Sequence, residues 1–190
     1  MIFKRKIYDE LLRWKRTDEG RTAVLIQGAR RVGKSTVAEE FATNEYDTHI
    51  LVDFAACSSE IRDLFNDVSD LNRIFMRLQL EYGIELKERK SAIIFDEVQL
   101  APKARQAIKY LVKDGKYDYI ETGSLISIRK NVKDILIPSE EVKVHMFPMD
   151  YEEFKWALGD TATIKLLQSC FHNRTSLGDA TNRKLMRDFR

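Results

Sequence analysis

"GARRVGKST", Gly28 to Thr36, follows the apolar run Ala23-Val24-Leu25-Ile26. Its first eight residues satisfy the pattern G-x-x-x-x-G-K-[ST], a loop between a strand and a helix. Each fixed position has a physical cause. Glycines at 28 and 33 let the backbone turn tightly and approach an anion with no Cβ in the way. Successive N–H groups then line a concave anion site, and a helix beginning near Lys34 adds its positive end. The candidate phosphate-binding residues are Gly28, Arg30, Arg31, Val32, Gly33, Lys34, Ser35 and Thr36. Lys34 supplies a point charge to β- and γ-phosphates, and Ser35 offers a hydroxyl to Mg²⁺. At average composition the pattern arises by chance in a chain this long less than about one time in a hundred. Its place between strand and helix sharpens it further.

A phosphate cradle alone binds nucleotide without cleaving it. The second half of the machinery is "AIIFDEVQ", Ala92 to Gln99. Four apolar residues carry a buried strand to its C-terminal edge, where ligands sit in open α/β sheets. Asp96 is placed to hold Mg²⁺ in the manner of a Walker B aspartate. Glu97, one residue further, can polarise a water for in-line attack on the γ-phosphate. The plain alternative is an Asp-Glu pair capping the next helix, and the intact phosphate loop outweighs it.

Five short apolar runs recur, each followed by a polar or helical stretch: Thr22–Gln27, Thr48–Phe54, Ser91–Asp96, Tyr117–Thr122 and Val142–Phe147. Several are nearly continuous in Ile, Val, Leu, Phe and Ala, as strands buried on both faces are. Their alternation with helical patterns predicts an α/β fold with a parallel sheet covered on both sides. Ile7, Leu11, Leu12 and Trp14 predict an amphipathic helix over about residues 5–16. After the fifth strand, Asp150 and Glu153 in "FPMDYEEFKWAL" form a capping-box pattern. A further helix is expected to turn Thr163, Leu166, Leu167, Cys170 and Phe171 to one face. Gly178 breaks that pattern, and Leu185, Met186 and Phe189 then read as an inward helix face.

The fourth run leads into Thr122-Gly123-Ser124. In a sheet of order 5-1-4-3-2, Thr122 just past the strand end faces the site, where its hydroxyl can orient the attacking water. A polar strand-end turn is the competing reading. Arg129 is a candidate arginine finger for a neighbour's nucleotide, against a solvated surface arginine. GTPases read guanine through N-K-x-D, and in the nearest approach, Asn131-Val132-Lys133-Asp134, the lysine stands one place late. ATP is favoured.

The 190 residues suit one ordinary domain, or one with a small appendage. With 44% hydrophobic and 33% charged residues a core can form. No apolar run approaches the ~20 residues of a membrane helix. The basic start Met1–Lys6 is not followed by a signal-peptide apolar stretch, so the cytoplasm is the default. Cys57 and Cys170 stand in no metal or redox spacing, and the three histidines are scattered singly, which argues against zinc. A net charge of +2 gives no strong case for nucleic acid, although Arg174–Arg190 carries five basic residues against two acidic ones. The division expected is a P-loop core over 1–150 and a helical segment over 151–190. Because the chain stops at Arg190 inside a half-apolar helical stretch without a stop signal, the segment is expected to be a truncated lid or a linker to a further domain.

Taken together these motifs resemble an AAA+ ATPase domain. More narrowly, the chain is similar to the bacterial and archaeal ATP-binding proteins that join such a domain to a C-terminal nuclease-like domain. The features are "QGARRVGKST" from Gln27, "IIFDEVQ" from Ile93, "TGS" from Thr122 and "FPMDYEEF" from Phe147. The resemblance implies a parallel 5-1-4-3-2 sheet with flanking helices and the start of a helical lid. It gives Lys34, Ser35, Asp96 and Glu97 the handling of phosphate, metal and water, and makes Thr122 the sensor threonine. The lid arginine of many AAA+ proteins has no secure counterpart here; Arg183 and Arg187 match by position only.

Three functions compete. The first is Mg-dependent ATP hydrolysis driving a conformational switch on a partner or appended domain. The second is a nucleotide switch with negligible turnover until it assembles into a homo-oligomer, where a neighbour supplies the finger arginine. The third, a small-molecule or nucleoside phosphotransferase, is opposed by Glu97 and by the want of an arginine-rich lid loop.

Overall fold

The structure is a computed structural model and describes residues 3–124 and 139–189. Arg129 and the Asn131–Asp134 stretch lie outside the described residues. Two compact units emerge, Lys4–Pro148 and Met149–Arg190.

The first unit is built on five parallel strands: β1 (Ala23–Gly28), β2 (Thr48–Asp53), β3 (Ser91–Asp96), β4 (Asp118–Ser124) and β5 (Glu141–Met146). Their order is β2-β3-β4-β1-β5, the expected array read from its other edge. β1, β3 and β4 are buried along their whole length, as central strands covered on both faces must be. The edge strand β2 is less enclosed: Ile50 and Val52 are buried while their neighbours are half-buried.

Helices cover both faces. On one, α1 (Ile7–Asp18) and α2 (Lys34–Glu45) pack Leu11, Trp14, Val37 and Phe41 against Val24, Ile26, Ile94 and Ile120. On the other, α3 (Ser59–Asp63) with the 3-10 turn Leu64–Asn66 that follows it, α4 (Leu71–Tyr82) and α5 (Pro102–Asp114) pack Ile61, Phe65, Phe75, Ile108 and Leu111 against Leu25, Val52, Phe95 and Tyr119. Phe54, Phe65 and Phe95 meet with ring centroids 5.2 to 5.9 Å apart. This alternation of inward-facing residues along each strand is what the apolar runs encode.

Two boundaries differ from expectation in a way that matters. β4 continues to Ser124 because its backbone stays paired with β1 through Gly28↔Ser124. Thr122 therefore lies inside the strand and not beyond its end. α1 runs two residues further than the spacing suggests and ends where Glu19 takes a left-handed φ of 51°.

The second unit contains α6 (Tyr151–Ala157), α7 (Thr163–His172) and α8 (Asp179–Leu185). Asp150 caps α6 through a full capping box with Glu153, as its spacing indicates. The Lys155 ammonium pairs with Asp160 at 3.0 Å and Asp188 at 3.2 Å, and Tyr151 stacks on Phe189 at 4.9 Å. The apolar face expected on α7 is not enclosed. Ile164 is its one buried residue, whereas Leu166 and Phe171 are exposed. Met186 and Phe189 are exposed too, so the 3.6-residue spacing marks a face that this unit leaves uncovered. No helix among the described residues is long and apolar enough to cross a membrane.

Candidate active site

Lys34 opens α2 directly after Gly33, whose φ of 95° is left-handed, and Arg31 takes a positive φ of 63°. These two reversals fold the loop back on itself, the backbone form that turns successive amides toward one point. Gly28 is required for closeness: a Cβ there would lie 2.1 Å from the carbonyl oxygen of Met146 on β5. The side chains of Arg30, Arg31 and Thr36 are exposed, and Val32 is half-buried. The Lys34 side chain is buried and its ammonium donates to the Ala29 carbonyl at 2.8 Å and the Gly28 carbonyl at 3.5 Å. Burial holds its pKa below the usual lysine value, while the Glu97 and Asp96 carboxylates pull it back up.

The strand order brings the acidic motif to this loop. β3 delivers Asp96 to the C-terminal edge of the sheet, and Ser35 Oγ donates to Asp96 Oδ1 at 2.7 Å. Thr122, fully buried on the adjacent β4, also donates to Asp96 Oδ1 and accepts from the Glu97 amide at 3.2 Å. Glu97 itself sits in the left-handed region at φ 52°, an uncommon conformation for a residue with a side chain. That turn swings its half-buried carboxyl out of the strand line, where the amide of Gln99 donates to it. Lys34, Ser35, Asp96, Glu97 and Thr122, spread over 89 positions of sequence, are thus brought to one strand edge. The donor set beside the loop is a hydroxyl and a carboxylate, all oxygen, which fits Mg²⁺ with water completing its shell.

A family model described as an AAA domain matches residues 20–155, which spans the whole sheet and both motifs. The chain belongs to the AAA domain family. Nucleotide binding and hydrolysis are the activities of that family, and the AAA domain here carries the phosphate loop and acidic strand end they use. No curated protein matches the chain. Among solved structures it is similar to C. elegans PCH-2, at 12% identity and a TM-score of 0.41, over 75% of this chain and 44% of that one. It is similar to a chain in the Drosophila ORC bound to AT-rich DNA and Cdc6, at 13% identity and a TM-score of 0.49, over 96% of this chain and 80% of that one. A third similarity, at 12% identity and a TM-score of 0.46, is to a chain of the Pif1 helicases on forked dsDNA, over 78% of this chain and 45% of that one. The AAA domain thus spans under half the length of the first and third.

Sequence reasoning missed three features of this AAA domain. Gln99 reaches Glu97, which the adjacency in Asp-Glu-Val-Gln could have signalled. Arg5, read only as part of a basic terminus, reaches the phosphate loop. The side chains of Glu121, Glu141 and Arg105 form a buried ionisable group below the site, with Arg105 bidentate to Glu141 at 3.1 to 3.3 Å. Glu121 is fully buried beside Glu141, and burial followed by the Glu141 charge pushes its pKa well up.

Proposed function

We propose that the protein is a cytoplasmic, Mg-dependent ATPase whose AAA domain switches conformation with the state of its nucleotide and acts through a partner or an appended domain. The observation that carries this reading is Ser35 Oγ at 2.7 Å from Asp96 Oδ1, with Glu97 next in the chain. One oxygen pair spans the phosphate loop and the acidic strand, with a second carboxylate left over for water.

In this account the loop amides and Lys34 hold the β- and γ-phosphates, and Ser35 and Asp96 are the residues that would hold Mg²⁺. The bound metal would supply charge stabilisation at the phosphate oxygens. Glu97 accepts a proton from water as its oxygen bonds to the γ-phosphorus and the bond to the β-phosphate oxygen breaks. ADP and inorganic phosphate leave. Thr122, bonded to Asp96 and the Glu97 amide, keeps the two carboxylates in register. The division into a core over 1–150 and a helical lid or linker over 151–190 belongs to this proposal, as do a finger arginine at Arg129 and a homo-oligomeric form.

A second reading is favoured by the Gln99 contact. With the Glu97 carboxyl held by an amide, the free protein binds ATP and turns it over only after that contact opens. Equilibrium binding tests the shared core of both. Parent protein should bind Mg–ATP, and Lys34→Ala should weaken binding by about 100-fold or more. Equal affinity in the two proteins would overturn the site.

A further inference from the structure

The first residues of the chain reach the phosphate loop from outside. Arg5 is buried, and its guanidinium donates from Nη1 to the Val32 carbonyl at 2.8 Å and from Nη2 to the Phe147 carbonyl at 2.7 Å. These acceptors stand 27 and 142 positions away. Val32 immediately precedes Gly33 in the loop, and Phe147 immediately follows β5. The end of β5 crowds Gly28 and lies in ordinary contact range of Gly33, with Arg5 beside it. A Cβ on Gly28 would strike the Met146 carbonyl, and one on Gly33 would lie 3.6 Å from Met146 Cε and 3.8 Å from Arg5 Nη1. Arg5 and the exit of β5 together form the outer wall of the loop.

The peptide between Val32 and Gly33 is planar and trans, so its carbonyl and its N–H point in opposite directions. A guanidinium fixed on the Val32 carbonyl therefore turns the Gly33 N–H away from Arg5. The charge-assisted bond also polarises that peptide and strengthens the N–H as a donor. We propose that Arg5 is a positioning residue for phosphate binding: it aims the Gly33 amide at the anion and ties the loop to the exit of β5. The proposal rests on the nucleotide reading of the loop. A lysine cannot replace Arg5, because a single ammonium lacks the planar fork that holds two carbonyls at once.

The test uses the full chain and Mg–ADP as probe. Affinity is measured by calorimetry for the parent, Lys34→Ala, Arg5→Gln and Arg5→Lys at a temperature where each is folded, beside the melting temperature without nucleotide. The Gly33 amide resonance is followed through each titration. Arg5→Gln should bind ADP about tenfold more weakly or worse. Arg5→Lys should lose part of the affinity, and the Gly33 resonance should move less than in the parent. If Arg5→Gln does not fold, Arg5→Lys and the resonance decide. Parent affinity and a parent Gly33 shift in the Arg5 variants, with only the melting temperature lowered, would overturn the positioning role alone. A parent that binds no ADP, or binds it as well in Lys34→Ala, would overturn the nucleotide reading and this inference with it.

Discussion

Thr122 Oγ1 bonds to both halves of the acidic motif: it donates to the Asp96 carboxylate and accepts the backbone amide of Glu97 at 3.2 Å. One fully buried hydroxyl thus fixes the carboxylate proposed for the metal and the turn that aims the carboxylate proposed for water. Thr122→Val keeps the shape and removes both bonds. It leaves the Glu97 amide unpaired, which should cost about 1–3 kcal/mol of stability. Single-turnover ATP hydrolysis should fall by about tenfold or more while ATP affinity changes far less. Loss of stability with unchanged turnover would limit Thr122 to a structural bond.

Lys34 supplies a pH signature. Its burial favours the neutral amine in the free protein, and nucleotide phosphates favour the ammonium. Binding must therefore take up protons at alkaline pH, and affinity should decline as pH rises through the lowered Lys34 pKa. Calorimetry at about pH 9 in two buffers of different ionisation enthalpy reads the uptake. The uptake should disappear in Lys34→Arg, whose guanidinium stays charged throughout. Proton release, or equal uptake in the variant, would contradict the placement of Lys34 on phosphate.

In the buried group below the site two carboxylates share one guanidinium, and the half-exposed Lys143 reaches Glu141 at 3.7 Å. Arg105 serves Glu141, and Glu121 retains its proton well above the ordinary carboxylate range. With a raised pKa in the folded state, the unfolded chain loses its Glu121 proton first as pH rises above the usual value near 4.5. Stability from this residue therefore falls as pH climbs through that window toward the raised folded pKa. Glu121→Gln removes the penalty while keeping the shape. It should raise stability at pH 8 by about 1 kcal/mol or more relative to the parent, and by less at pH 5. Urea unfolding at the two pH values checks this; a uniform loss at both would mean an ionised, paired Glu121.

The sheet was legible in the sequence because central strands of a parallel sheet must be apolar on both faces, and β1 and β3 are continuous in Ala, Val, Leu, Ile and Phe up to their polar ends. The meeting of the loop with Asp96, seen in the Ser35 bond, was legible because both motifs follow strands at the C-terminal edge of a parallel sheet. The end of β4 was not: Gly123 and Ser124 read as a turn, yet pairing with Gln27 and Gly28 holds them in the strand. Arg5 was invisible for a related reason. A basic residue near the N-terminus reads as solvated, and only the crossing of three segments distant in sequence encloses it. Helix periodicity also overstated α7, since spacing reports an apolar face and says nothing of what covers it.

Glu97 is proposed to activate water at a phosphate held by the loop. Single-turnover release of phosphate from Mg–ATP, with parent and Glu97→Gln compared over a range of protein concentrations, tests it most directly. Turnover is expected in the parent, with a fall of about 100-fold or more in Glu97→Gln and ATP affinity retained in the variant. Hydrolysis by Glu97→Gln at the parent rate would contradict it.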